Sequence, residues 1–158
     1  MYDFFLTLHS WNRRIILIVG IVAVIMAYNG WKSRRVFSSL DNLLGTTLIG
    51  SMHMQLLIGI LLYFVFSPLT KYALSHFSEA MKNSHLRYFV LEHWIVMLLS
   101  IAIAQTGRIM VHKTEDENLK HKRSFIYYSI AMFLILLMIP YGNYHQEAWS
   151  NLMKIVHP

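Results

Sequence analysis

The chain contains no cysteine. Disulfides, thiolate metal sites, iron–sulfur clusters and covalently attached c-type haem are therefore excluded. It has three prolines in 158 residues, so long helices can run with few interruptions. Charged residues make up only 14% of the chain, well below the share usual for a soluble domain. No glycine-rich phosphate loop is present, and no basic–aromatic surface marks a nucleic-acid binder. Asp3 stands where a secretory signal would carry basic residues, and no A-x-A-like site follows the first apolar run, so no signal peptide is expected.

What remains is apolar. Hydrophobic residues make up 56% of the chain, and the mean hydropathy is +0.43. They fall into four long runs separated by short polar segments. A bilayer core of about 30 Å needs roughly 20 apolar residues in a helix. The expected fold is all-α: one integral membrane four-helix bundle, with spans at about 4–31, 43–66, 86–107 and 124–141. Asp3 is the expected cap of the first helix, and Asp41 or Ser39 that of the second, which Pro68 would stop. Residues 69–84 have apolar positions spaced for one short amphipathic helix on the membrane surface. The charged stretch 108–123 reads as a solvated loop. The tyrosines at 127, 128 and 141 and Trp149 suit interfacial belts.

The formal charge of +6 reflects topology rather than a nucleic-acid partner, because most Lys and Arg lie just beyond the apolar runs. Lys32, Arg34, Arg35, Arg108, Lys113, Lys120, Lys122 and Arg123 fall on one side; Lys71, Lys82, Arg87 and Lys154 fall on the other. The positive-inside rule then puts both termini outside, in a bacterial inner membrane.

Six of the nine histidines sit in loops, helix ends or the tail. His9, His53 and His93 fall inside spans, where an unpartnered ionisable group is costly and marks a functional candidate. Counting from span midpoints at 1.5 Å per residue, His53 lies near the midplane, His93 roughly 6 Å outward and His9 roughly 10 Å outward. Two neutral imidazoles on neighbouring or diagonal helices can clamp a b-type haem. His53 with His93 is the preferred pair, and His9 is the alternative as a diagonal partner of His93. Gly20 shares the His9 face and Gly50 precedes His53 by one turn, so both would leave room for a bulky group. Arg13, a turn below His9, could meet a propionate. Arg13 and Arg14 also lie at a depth similar to Glu92, which predicts an ion pair tying the third helix to the first. The bland alternative is a polar network in which the histidines bond to Gln55, Ser51 or Ser100. The ten methionines show no metal-binding repeat and read as core fillers.

The runs LHSWNRR (8–14), DNLLG (41–45), HMQLLIGILLYF (53–64), EHW (92–94) and AQTGR (104–108) together resemble small four-helix membrane proteins labelled cytochrome B-like. The H-x-Q-x-x-x-G pattern is more loosely similar to haem A synthase half-bundles. The resemblance covers most of the chain. It implies one haem b ligated by some of His9, His53 and His93, in an electron-transfer protein rather than a stand-alone enzyme. The expected partners are the bilayer, a quinone pool, a redox protein and further copies or subunits. Helix 4 has no in-span histidine, a departure from the haem A synthase pattern. Two other readings stay open: a non-haem metal or quinone site formed by His9, His53, His93 and Glu92, and a cofactor-free membrane scaffold.

Overall fold

The computed structural model describes residues 1–139 and Ser150, so Pro140, Tyr141, His145, Trp149 and His157 lie outside the described residues. The described chain is all-α. Helix α1 covers Tyr2–Ser33. Helix α2 covers Ser39–Leu61 and runs on through a π-helical turn at Leu62–Phe66. Three short helices follow, α3 at Pro68–Ser75, α4 at Phe77–Lys82 and α5 at Ser84–Arg87. A second π-helical turn, Tyr88–Glu92, leads into α6 at His93–His112, and α7 spans Glu117–Leu137.

Three stretches, Tyr2–Ser33, Ser39–Phe66 and Ser84–His112, are long and apolar enough to cross a membrane. The fourth expected span, 124–141, runs past the last described residue of α7. Its described part is also preceded by two charged turns.

Local chemistry sets the helix ends. Asp3 falls in the first turn of α1 rather than at its cap. Ser38, not Asp41 or Ser39, caps α2: its hydroxyl accepts from the Asp41 N–H, while the Asp41 carboxylate accepts from the Ser38 N–H. The Arg35 guanidinium then closes on Asp41 through two 2.7 Å contacts.

Two expectations need correction. The stretch 69–84 is not one helix, because the chain leaves helical geometry at His76 and again at Asn83, whose side chain caps the N–H groups of His85 and Leu86. Its apolar side packs as a small core of Leu69, Ala73, Ala80, Leu86 and Val90. The charged stretch 108–123 is not a loop either. α6 continues to His112 and α7 begins at Glu117, where Asp116 caps the Leu119 N–H at 2.6 Å.

The four long helices pack in the cyclic order α1, α2, α6, α7, leaving α1 and α6 on a diagonal. All four contribute to the core, through Ile16 and Ala23, Leu48 and Met52, Ala104, and Tyr128 to Ile135. The contacts facing inward are often small or polar. A Cβ on Gly20 would collide with the Met132 thioether, one on Gly30 with the buried His121 ring, and one on Gly107 with Tyr127. Large apolar side chains instead face outward along the helices, among them Ile18, Ile25, Leu57, Phe64, Leu99 and Phe133. Helices without a hydrophobic solvent contrast associate in this way, with small residues inside and bulky ones on the perimeter.

Candidate functional site

Near the α1 N-terminus, the four helices part around a cavity of about 380 Å³. This lies within the usual size of small-molecule sites. Its wall includes His9, Arg13, Gln55, Tyr63, His93 and Trp94. Both π-helical turns border it, through Tyr63 on one and Tyr88 on the other. A π turn inserts one extra residue, which re-aims the side chains that follow and leaves carbonyls for other donors. Side chains take up those carbonyls: Tyr63 Oη donates to the Val90 carbonyl at 2.7 Å, and Thr70 Oγ1 donates to the Tyr63 carbonyl at 2.6 Å. The two irregular turns therefore brace one another across the cavity.

The α1–α2 wall is set by Asn12, which is 4% exposed. Its amide donates to Gln55 Oε1 at 2.8 Å and to the Ser51 carbonyl at 2.9 Å, while Gln55 Nε2 donates to the His9 carbonyl at 3.0 Å. The polar network expected of the histidines is thus made by Asn12 instead. On the α6–α7 wall, the Ser100 hydroxyl donates to the Ala131 carbonyl at 2.9 Å.

His93 opens α6 directly after the second π turn. Its Nδ1 lies 3.2 Å from Tyr88 Oη, which donates its proton to the Met138 carbonyl at 2.6 Å. A phenol has one proton, so the Tyr88 oxygen must accept from His93 Nδ1–H. With the Tyr88 oxygen accepting, Nδ1 carries the ring proton, and the Met138 carbonyl is a second partner of the same ring. His9, from the diagonal helix, lines the same cavity and is close enough to His93 and Arg13 for their charges to interact. His9 Nδ1 and Trp94 Nε1 are buried with no partner among the described residues.

The other sequence candidates sort differently. His53 is exposed on the outer side of α2, its Nδ1 turned back to the Ile49 carbonyl at 3.0 Å, and it takes no part in the cavity wall. Gly50 is exposed beside open space on α2. The structure therefore brings His9 together with His93 and leaves His53 apart. Gly20 gives no room to a ligand, because Met132 fills the space. Glu92 does not meet Arg13 or Arg14. It pairs with Arg87 at 2.6 Å, since the π turn brings residues five apart onto one face. Arg14 lies over the Trp11 ring at 4.6 Å, whereas Arg13 stays on the cavity wall. With His53 outside and Glu92 engaged, the metal site of three histidines and Glu92 does not assemble. Among the described residues no group of three or more His, Cys, Asp or Glu could hold a metal ion.

No family model, curated protein or solved structure matches this chain. Functional meaning therefore rests on the cavity and the residues around it. Sequence reasoning missed Asn12, Tyr88 and Trp94. Asn12 could have been found as the amide that stands one turn from His9 in the first span, but Tyr88 and Trp94 depend on a π turn that no spacing rule exposes.

Proposed function

We propose that the chain is an integral membrane four-helix bundle that holds one b-type haem between His9 and His93. It would serve electron transfer between a quinone pool and a partner protein. The observation that carries this reading is the pair of imidazoles from diagonal helices lining one largely apolar cavity, one of them with its tautomer fixed by Tyr88. Three apolar stretches of spanning length and the bulky apolar perimeter support the membrane setting. When bound, haem supplies a one-electron couple. The residues that would hold that group are His9 and His93, through their ring nitrogens, and Arg13, whose guanidinium would meet a propionate, while the apolar walls would exclude water. The expected setting is a bacterial inner membrane with both termini outside, alone or within a larger complex.

A visible spectrum of the detergent-solubilised protein tests the reading. A Soret band and a reduced-minus-oxidised α-band are expected. His9→Ala and His93→Ala should each abolish them, and His53→Ala should leave them intact. Absence of both bands, together with failure to bind added haem, would sink the proposal.

A second reading is favoured by Trp94 Nε1 and His9 Nδ1, two buried ring nitrogens without partners. A quinone headgroup in the same cavity would offer carbonyl oxygens to such donors. Quinone recovered by solvent extraction from protein lacking a Soret band would support it. Protein carrying neither group would be the cofactor-free scaffold.

A further inference from the structure

The end of the helices opposite the cavity carries a second polar site, and it begins with a charge that lacks a counter-ion. Arg108 stands in the last two turns of α6 and is only 7% exposed. Its Nη2 donates to Asn42 Oδ1 and to Thr46 Oγ1, both at 2.6 Å. Neither partner is charged. Nη1 lies beside the buried Tyr128 hydroxyl, which is neutral too and also turns to Ser124, so among the described residues no carboxylate meets this guanidinium. Gly45 makes the arrangement possible, since a Cβ there would lie 3.0 Å from Arg108 Nη1 and 2.8 Å from the Tyr128 oxygen.

Two carboxylates at this end are already committed. Asp41 is bound by Arg35 at 2.7 Å, and Glu117 is bound by Lys120 at 2.6 Å. A buried guanidinium left without an anion is strongly disfavoured, and such charges normally pair or mark a binding site.

Asn42 links this charge to a pocket of about 330 Å³ whose wall also includes Ser38, His112, Thr114 and Lys120. With its Oδ1 turned to Arg108, the Asn42 carboxamide can offer its N–H groups to the pocket. Arg123 backs the far wall by donating to Thr114 Oγ1 and to the Met110 carbonyl. The pocket therefore presents N–H donors between helices, with Lys120 shared with Glu117 and with Arg108 behind Asn42 as the buried cation that no carboxylate offsets. Basic pockets between spanning helices are suited to anionic headgroups.

We propose that this pocket binds a phosphate anion, the chemistry shared by an anionic phospholipid headgroup and inorganic phosphate. Asn42, His112 and Lys120 contact the anion, and Arg108 is its buried counter-charge. Binding here is independent of whether the cavity holds haem.

The test uses the full chain in a neutral detergent, with binding followed by the shift in unfolding temperature. Phosphatidylglycerol, phosphatidylcholine and inorganic phosphate are titrated separately at constant ionic strength. Stabilisation by phosphatidylglycerol but by neither of the others identifies a lipid headgroup; equal stabilisation by inorganic phosphate identifies a free anion. The deciding variant is Asn42→Asp, nearly isosteric, which would place a carboxylate against Arg108. It should weaken phosphate or phosphatidylglycerol binding about tenfold or more without lowering the unfolding temperature of the ligand-free protein. Arg108→Gln should produce the same loss of binding, and it replaces Asn42→Asp if that variant does not fold. The proposal is overturned if neither phosphate nor phosphatidylglycerol stabilises the unaltered chain beyond phosphatidylcholine, or if the variant that folds binds as tightly as the unaltered chain.

Discussion

Tyr88 decides what His93 can do, because its oxygen accepts from Nδ1 while its own proton goes to the Met138 carbonyl. Tyr88→Phe removes both contacts at once. Under the haem reading the Soret band should persist, since both imidazoles remain, but haem affinity should fall by about 10- to 100-fold. The reduction potential should rise, because an imidazole that no longer donates from Nδ1 is a poorer electron donor to the iron. A redox titration showing unchanged potential and unchanged affinity would remove Tyr88 from this positioning role. The in-span histidines were legible in the sequence, but which of them face inward was only partly so. Depth is a count along the helix axis; direction around the axis depends on the packed stripe. On α1 the buried residues Asn12, Ile16, Gly20, Ala23, Ala27 and Gly30 recur every third or fourth position, and His9 continues that stripe. On α6, His93 stands seven residues before buried Ser100. On α2 the stripe runs through Gly45, Leu48 and Met52, so His53 is about 100° off it.

Among the elements, α1 and α7 approach closely because α1 is glycine-bearing where α7 is bulky. Gly20→Ala would press a methyl group onto the Met132 thioether, the flexible end of that side chain, so the methionine can swing aside and the loss should stay below about 1 kcal/mol, read as a small drop in unfolding temperature in detergent. Adding Met132→Ala should recover part of that loss, because the two sites touch and their effects are not additive. Gly20 was correctly assigned to the His9 face in the sequence. What one sequence does not say is whether a small residue leaves space for a ligand or for a neighbouring side chain. At the other end of α7, Glu117 accepts from the Phe37 N–H at 2.7 Å and pairs with Lys120, tying the α1–α2 connection to α7. The Lys120 side chain and then the Phe37 N–H hold its carboxyl below the usual carboxylate range. A depressed pKa in the folded state means a stabilisation that is complete above the unfolded value near 4.3 and is lost as pH falls through the folded one. The stability difference between the unaltered chain and Glu117→Gln should therefore shrink as pH is lowered from about 6 to about 3. A constant difference across that range would show that the ion pair and carboxylate charge contribute nothing. These contacts escaped the sequence reading, which treated residues 108–123 as one solvated segment. Alternating charges look alike in a loop and on a helix end, and only the Asp116 cap separates the two.

For the whole molecule, the distribution of basic residues makes a claim about orientation. The α1–α2 and α6–α7 connections together with the helix ends beside them carry most of the 14 lysines and arginines, and the segment between α2 and α6 carries few. The orientation predicted by the positive-inside rule has the α6–α7 connection facing the interior and the α3–α4 segment outside with the N-terminus. Some of those cations are not free: Arg108 is buried, and Arg35 and Lys120 are paired, while Lys113 lies exposed in the α6–α7 connection. The charge bias that sets topology acts on the chain during insertion, before these pairs form, so the whole set counts. The absence of cysteine makes the claim simple to check. Glu115→Cys and Ser78→Cys each place a single thiol at an exposed position, on the α6–α7 connection and on α4. In intact cells with a permeabilised outer membrane, an impermeant maleimide should label the thiol at 78 and spare the one at 115 until the inner membrane is broken. The reverse pattern would invert the orientation and put the histidine cavity towards the cell interior. Equal labelling of both thiols before lysis would instead count against a membrane-spanning arrangement, because residues 78 and 115 lie at opposite ends of α6 and its π-helical lead-in.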